Sequence, residues 1–384
     1  MKTSFHLPFV LELEKRLGTS QPLIQVVLGP RQVGKTTGVL QLQDKKKALI
    51  HYISADEQLT PSALWLEEQY QKALLAPKIK IFIIDEIQKV PQWSETIKKL
   101  WDRQKRSSKK FLKIILLGSS SLTLQKGLTE SLAGRFELIR VFQWSYQESK
   151  QCFGMDFETY LKFGGYPGSY EFLSNPERWL TYLKSSIVET AIGRDILLFS
   201  QVRAPALFRQ AFEILCSYPA QEISYNKLLG QLQDKGNTDL IKHYIELYQG
   251  AFLIQTLHKF AQKVVLKKTS SPKIFPGCPA LTHLTESIKS WEEKRGRLFE
   301  LVVGNELQRL GGELSYWREE KNEIDYILVW QNNIFAIEVK SGRKKSPKGL
   351  ELFLKKFSKA KPVFITTENF ETFSRDPKAF LKKI

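Results

Sequence analysis

Cysteine is scarce in this chain of 384 residues: there are three, at 152, 216 and 278, and no two lie close together. That spacing excludes a disulfide framework and a zinc knuckle, and it predicts a reducing, cytoplasmic compartment. Long apolar runs are also lacking. The stretch from Phe9 to Leu13 is short and broken by Glu12, so neither a signal peptide nor a membrane anchor is expected. Leu11, Leu13 and Leu17 among charged neighbours fit a short amphipathic helix instead. Internal repeats and low-complexity linkers are absent, with local breaks only at Ser107-Ser108, Gly164-Gly165 and 270–279. Acidic residues are in deficit, 40 against 58 Lys and Arg, for a formal net charge of +18 at pH 7. The deficit excludes an acidic solvated tail, and an aromatic content of 12% is too high for a disordered chain. So large a positive excess favours negatively charged partners: nucleic acid, nucleotides or an acidic membrane surface. The length suits two or three domains, each with its own core.

The first third alternates strands and helices. Residues 23–28 form a continuous apolar run, as in a strand buried on both faces, and lead directly into Gly29-Pro-Arg-Gln-Val-Gly34-Lys35-Thr36. A loop of this pattern between strand and helix surrounds phosphates with backbone N–H groups. Lys35 is expected to reach the β- and γ-phosphates of ATP and the Thr36 hydroxyl to ligate Mg²⁺, with Gly29, Gly34 and Thr37 completing the nucleotide contacts. A second buried strand, 79–84, ends in Asp85-Glu86, where Asp85 suits Mg²⁺ and Glu86 suits the general base for the attacking water. The alternative for that pair is helix capping. A third strand, 113–117, ends in Gly118 and three serines, of which Ser119 or Ser120 is placed to sense the γ-phosphate, or else to cap the next helix. Arg135 follows that helix. It is either a finger for a neighbouring subunit's γ-phosphate or an ordinary surface arginine.

Gly29 to Thr37, Asp85-Glu-Ile-Gln88, Gly118 to Ser121 and Leu132-Ala-Gly-Arg135 resemble the motifs of a prokaryotic AAA+-like ATPase family with a C-terminal region long labelled a domain of unknown function. Gly164-Gly-Tyr-Pro167 and Glu189 to Asp195 resemble its later signatures. The resemblance implies a homo-oligomer in which Arg135 acts as the arginine finger. Ile274-Phe-Pro-Gly-Cys-Pro279 departs from it, because relatives usually have a strand followed by Asp-Gly there.

Residues 146–214 carry helical patterns, with Trp179, Tyr182, Leu183, Ile187, Val188 and Ile192 as a packing stripe. Arg194-Asp195 reads as a structural ion pair, with reading of nucleotide from outside the P-loop domain as the alternative. From Ile223 a helix capped by Ser224, a turn at 235–237, a second helix capped by Thr238 and a strand near 252 suggest a winged helix-turn-helix. Its second helix would present Asp239, Lys242 and His243 either to DNA or to protein.

The last hundred residues suggest a nuclease core. A helix over 287–310 precedes strands at 313–318, 323–330 and 333–340, a helix at 347–359 and a strand at 361–366. Alternation puts Glu338 and Lys340 on one face of their strand. A tight hairpin at Gln331 to Asn333 would bring Asp325 opposite 338–339, and Glu300 could add a third carboxylate. Asp325 and Glu338 suit Mg²⁺ or Mn²⁺, and Lys340 suits the transition state of phosphodiester hydrolysis. This element order and the Asp…Glu-x-Lys spacing resemble the restriction-endonuclease-like fold, whose members include inactive forms.

The expected architecture is therefore α/β throughout: a parallel-sheet P-loop ATPase domain (1–145), a helical connector (146–214), a winged-helix-like domain (215–285) and a restriction-endonuclease-like domain (286–384). The leading function is an ATPase coupled to a nuclease acting on nucleic acid. An ATP-driven switch with a protein partner is the rival, and a winged-helix regulator comes third. Residues 287–384 hold 20 Lys and Arg against 14 Asp and Glu, so two thirds of the positive excess lies in the ATPase and middle regions. A concentrated source is Lys98, Lys99, Arg103, Lys105, Arg106, Lys109, Lys110 and Lys113, a candidate nucleic-acid track or a solvated basic face.

Overall fold

In a computed structural model, residues 5–19, 23–106, 111–119, 122–198, 200, 202–232, 237–261, 271–285, 290–342 and 348–384 are described. They divide into two compact units. The first comprises residues 1–142, 187–201 and 250–252. Its elements are α1 (Pro8–Leu17), β1 (Ile24–Gly29), α2 (Lys35–Lys46), β2 (Ile50–Ser54), α3 (Ala63–Leu75), β3 (Ile81–Asp85), α4 (Trp93–Arg106), β4 (Lys113–Ser119), α5 (Leu122–Ser131) and β5 (Phe136–Arg140). The strands form one parallel sheet in the order β2-β3-β4-β1-β5. Every residue of β1 and β3 is buried, Gln25 and Asp85 included, as in central strands covered on both faces. α1 is amphipathic as expected, but Leu11 faces solvent at 56% exposure. Phe9 and Val10 join Leu13 and Leu17 in the buried stripe, because the helix starts at Pro8.

The second unit comprises 143–186, 202–249 and 253–384. It opens with α6 (Tyr146–Phe153), α7 (Phe157–Phe163) and α8 (Pro176–Tyr182). There follow α9 (Pro205–Cys216), β6 (Gln221–Glu222), α10 (Tyr225–Gln231), α11 (Thr238–Gly250), β7 (Ile254–Leu257) and β8 (Lys273–Pro276). The last three strands make a small antiparallel sheet ordered β6-β8-β7. Ser224 caps α10 through the Lys227 N–H. The cap of α11 is Asn237, whose Oδ1 accepts from Leu240 N–H at 3.0 Å, and not Thr238, which is already inside the helix. In the divergent segment, Cys278 is buried against Gly165: a Cβ on Gly165 would lie 2.3 Å from the cysteine's own Cβ, and Gly165 has φ +122°. The cysteine is a packing residue.

The rest of this unit is α12 (Trp291–Gln308), β9 (Glu313–Glu319), β10 (Asn322–Trp330), β11 (Asn333–Lys340), α13 (Lys348–Lys356), β12 (Ala360–Thr366) and two short helices, Phe370–Arg375 and Pro377–Lys382. The sheet order is β12-β11-β10-β9, with β9, β10 and β11 antiparallel and β12 parallel to β11. Gln331 and Asn332, with φ +48° and +63°, close the two-residue hairpin between β10 and β11. One face of the sheet packs Tyr326, Leu328 and Ile337 with Phe299 and Val303 of α12. The other packs Trp317, Ile324, Ile327 and Ala336 with Leu350 and Phe353 of α13. Among the described residues no helix is long and apolar enough to cross a membrane.

Candidate functional site

The expected nucleotide-binding residues gather at the C-terminal ends of β1 and β3. A Cβ on Gly29 would lie 2.2 Å from the Val141 carbonyl oxygen, and Gly34 has φ +87°, so both positions require glycine. The loop releases the chain into α2 at Lys35. The Lys35 side chain is buried and donates to the carbonyls of Gly29 (3.0 Å) and Pro30 (2.7 Å). Burial pulls its ammonium down to about 8 against the opposing pull of Glu86 and Asp85. Thr36 Oγ1 donates to Asp85 Oδ2 at 2.7 Å, and Thr37 is exposed one residue further along α2. The two groups expected to share Mg²⁺ are therefore already in contact, and hard oxygen donors fit that ion.

Three features of this site escaped the sequence reading. Tyr52, on β2, donates to the same Asp85 oxygen at 3.0 Å, and burial raises its phenol. Glu86 takes a left-handed backbone conformation, φ +51°, uncommon for a residue with a Cβ and typical of functional turns. Gln88 holds Glu86 and Ser119 together: its amide donates to a Glu86 carboxylate oxygen and, at 3.1 Å, to Ser119 Oγ. Ser119 Oγ in turn donates to that Glu86 oxygen at 3.3 Å. Burial raises the Glu86 carboxyl, the direction a general base needs. Ser119 is fully buried, and Ser120 lies outside the described residues.

Arg135 is not displayed as a free cation. Its Nε and Nη2 donate to the two carboxylate oxygens of Asp102 at 3.0 and 3.1 Å. The pair is partly exposed, and such a pair is a weak restraint. Arg194-Asp195 needs correction: Asp195 pairs with Arg31 of the phosphate loop. The segment Ala191–Leu197 is π-helical, and adjacent side chains on any helix point in different directions, so two neighbours do not form a pair. Within the basic cluster Lys98, Lys99, Arg103, Lys105 and Arg106 are exposed along α4, although Lys99 meets Glu67 at 2.8 Å. Lys113 turns away and donates to the Leu17 carbonyl, and Lys109 and Lys110 lie outside the described residues. On α11, Lys242 is 2.8 Å from Asp239, so the face carries less free positive charge than its sequence suggests.

In the second unit, β10 carries a bulge. Ile324 pairs with Trp317 and Ile327 with Ser315, so Asp325 and Tyr326 together oppose Tyr316. The face alternation slips there: Ile324 packs with the α13 face and Tyr326 with the α12 face. Asp325 accepts from Val339 N–H at 2.8 Å, while Lys340 pairs with Glu338 two residues along β11. These groups line a cavity of about 580 Å³ together with Glu300, Glu323 and Arg297. Lys273, on β8, was not anticipated. It is 1% exposed, 2.6 Å from Glu300 and 3.5 Å from Glu323, and its ammonium donates to the Asp325 carbonyl at 3.4 Å. Burial lowers its pKa, but Glu300, Asp325 and Glu323 outweigh that and hold it above the ordinary lysine value. Arg297 takes the other Glu300 oxygen at 3.1 Å. Glu300 is thus fully engaged with cations, and among the described residues no group of three or more His, Cys, Asp or Glu is placed to hold a metal ion. Of the carboxylates expected to bind a metal, Asp325 and Glu338 line the cavity, with Glu338 already paired to Lys340.

Burial, with Asp325 adding to it, pushes the Glu338 carboxyl up to about 7 from an ordinary 4.5. Between those values the folded state holds a proton that the unfolded state has lost, so stability falls as pH rises from about 4.5 through 7. Glu338→Gln is expected to flatten that part of a melting-temperature profile. Glu306, buried on α12 and also pushed to about 7, leaves a residual slope in both proteins, so the difference between them isolates Glu338.

A family described as an AAA domain matches residues 21–150. The N-terminal third is thus similar to AAA domains. C-terminal to that match, two families described as domains of unknown function match 154–289 (DUF8612) and 295–379 (DUF4143). An uncharacterized protein of Methanocaldococcus jannaschii is 26% identical over 335 residues, 80% of this chain and 73% of its own. One from Mycobacterium tuberculosis is 26% identical over 328 residues, 83% and 70% of the two chains. Among solved structures, the RuvB Holliday junction branch migration motor of Thermotoga maritima aligns at TM-score 0.31 and 16% identity. It covers 64% of this chain and 86% of its own. AMPPCP-bound DnaA from Aquifex aeolicus aligns at TM-score 0.31 and 16% identity, over 64% and 89% of the two chains.

Proposed function

We propose that the AAA domain hydrolyses ATP and that its cycle governs a C-terminal site acting on nucleic acid. The observation that carries the first half is Thr36 in contact with Asp85 beside a Glu86 held by Gln88 and Ser119. Thr36 and Asp85 would hold Mg²⁺, which neutralises phosphate charge. Lys35 binds the phosphates, Ser119 positions Glu86, and Glu86 takes the proton from water. Glu86→Gln is expected to lower kcat by about 100-fold or more while ATP still binds, as phosphate release and nucleotide titration would read. Assembly into a homo-oligomer, with Arg135 leaving Asp102 to reach a neighbour's phosphate, belongs to the same proposal. Unchanged turnover by Arg135→Ala in an intact oligomer would remove that part.

The order helix, three antiparallel strands, helix, parallel strand supports a restriction-endonuclease-like reading of 291–366. Asp325, Glu338 and Lys340 converging on one cavity support phosphodiester chemistry there, with Mg²⁺ or Mn²⁺ on the two carboxylates. Helix, strand, helix, helix, strand, strand over 205–276 supports a winged helix-turn-helix. The exposed cations of α4 supply a sequence-independent track for a nucleic-acid backbone. A second reading, in which the C-terminal fold is an inactive docking module for a protein partner, is favoured by Lys273 occupying Glu300. Incubation with ATP, Mg²⁺ or Mn²⁺ and plasmid or RNA separates the two. Cleavage by wild type that is lost in Lys340→Ala supports the nuclease. Intact substrates under conditions where ATP is consumed support the docking module.

A further inference from the structure

Arg31 is the third residue of the phosphate loop, and its guanidinium grips Asp195. Nε donates to both carboxylate oxygens, at 2.9 and 2.8 Å, and Nη2 donates to Oδ1 at 2.7 Å. The Asp195 side chain is 2% exposed and that of Arg31 20%. Asp195 comes from residues 187–201, which belong to the first unit although they lie some fifty residues beyond its last strand. Burying such a pair costs desolvation on both sides, and a loop that only needed to be shaped could use apolar contacts instead. The three bonds engage Nε and Nη2, and Nη1 takes no part in them.

The charge of Arg31 falls on the catalytic groups. Of the cations that hold the Glu86 carboxyl down against burial, Arg31 acts more strongly than Lys35. Arg31 is also the cation that depresses Lys35. Lys35, Glu86 and Arg31 thus share one electrostatic neighbourhood, the one where the proposed ATPase would hold a terminal phosphate.

We propose that Arg31 is a contact to the terminal phosphate of ATP supplied within the same chain, and that Asp195 is the positioning residue that aims it. A planar fork tied down along one edge keeps a fixed direction for its remaining donors, which a lysine cannot imitate. ATP and ADP differ by the charge this contact reads, so the pair also connects the state of the nucleotide to residues 187–201. The proposal rests on the ATPase reading.

The test uses the full chain with a fluorescent analogue of ATP and one of ADP, each titrated with Mg²⁺, followed by steady-state turnover. Asp195→Asn is expected to keep ADP affinity within about threefold of wild type and to lower kcat by about 10-fold or more, the effect of a misaimed charged group. Arg31→Ala is expected to lower kcat by about 100-fold. Arg31→Lys should recover only part of that, and adding Asp195→Asn to Arg31→Ala should cost nothing further. Equal loss of ATP and ADP affinity in Asp195→Asn would make the pair a loop brace and overturn the proposal. So would wild-type turnover in Arg31→Ala or Arg31→Lys, the latter retaining the charge if Asp195→Asn fails to fold. A wild-type protein that binds no ATP sinks the ATPase reading itself, a distinct result.

Discussion

Lys35→Ala is expected to weaken ATP and ADP binding by at least about 100-fold and to abolish turnover. The ammonium sits in the loop donating to two carbonyls, and burial has brought it down to about 8. A polyphosphate replaces those carbonyls with anionic oxygens, and each charge-assisted bond contributes about 1.5 kcal/mol or more. Two such bonds amount to about 3 kcal/mol, or roughly 100-fold in affinity. The same reasoning gives a pH dependence. Phosphate binds the protonated lysine, so the group's pKa is higher in the complex than in the free protein. Affinity is therefore expected to be level below pH 8 and to fall as pH rises through 8. Nucleotide titration across pH 6.5 to about 9 checks both, and nucleotide binding retained by Lys35→Ala would remove the phosphate-loop assignment.

Lys273→Met is expected to destabilise the second unit by about 3 kcal/mol or more. Burial pushes the Glu300 carboxyl up, and Lys273 at 2.6 Å is the largest force opposing that. Methionine fills nearly the same volume but leaves the carboxylate with Arg297 alone, and breaking a buried pair from one side costs about 3–5 kcal/mol. Adding Glu300→Gln removes the stranded charge and should restore most of the loss, because neutralising both partners of such a pair is often close to neutral. Hydrogen exchange in β10 and β11 reads the effect locally, avoiding the assumption that a chain of two units unfolds in one step. If Lys273→Met exchanges like wild type, the pair is not a keystone of this sheet.

Much of both sites was legible in the sequence because it depends on neighbours along the chain. Strand, glycine loop and helix follow one another without interruption at 23–46. Residues 323–340 are two strands around a two-residue turn, so alternation alone paired Glu338 with Lys340 and brought Asp325 to their strand. The cap of α11 was misplaced by one residue because Asn237 and Thr238 both suit that position, and only backbone geometry separates them.

The sequence by itself determined the nucleotide loop, the acidic residues at the end of β3 and the carboxylates and lysine of the C-terminal hairpin. Their spacing is local, and the α-helical and β-strand periods are known in advance. Only the tertiary structure decided which cation each remaining acid would meet. Asp195 met Arg31 from 164 residues away and Glu300 met Lys273 from 27, while Arg135 turned to Asp102. A buried charge must find an opposite partner wherever the packed chain brings one, and no periodicity along the sequence encodes that choice.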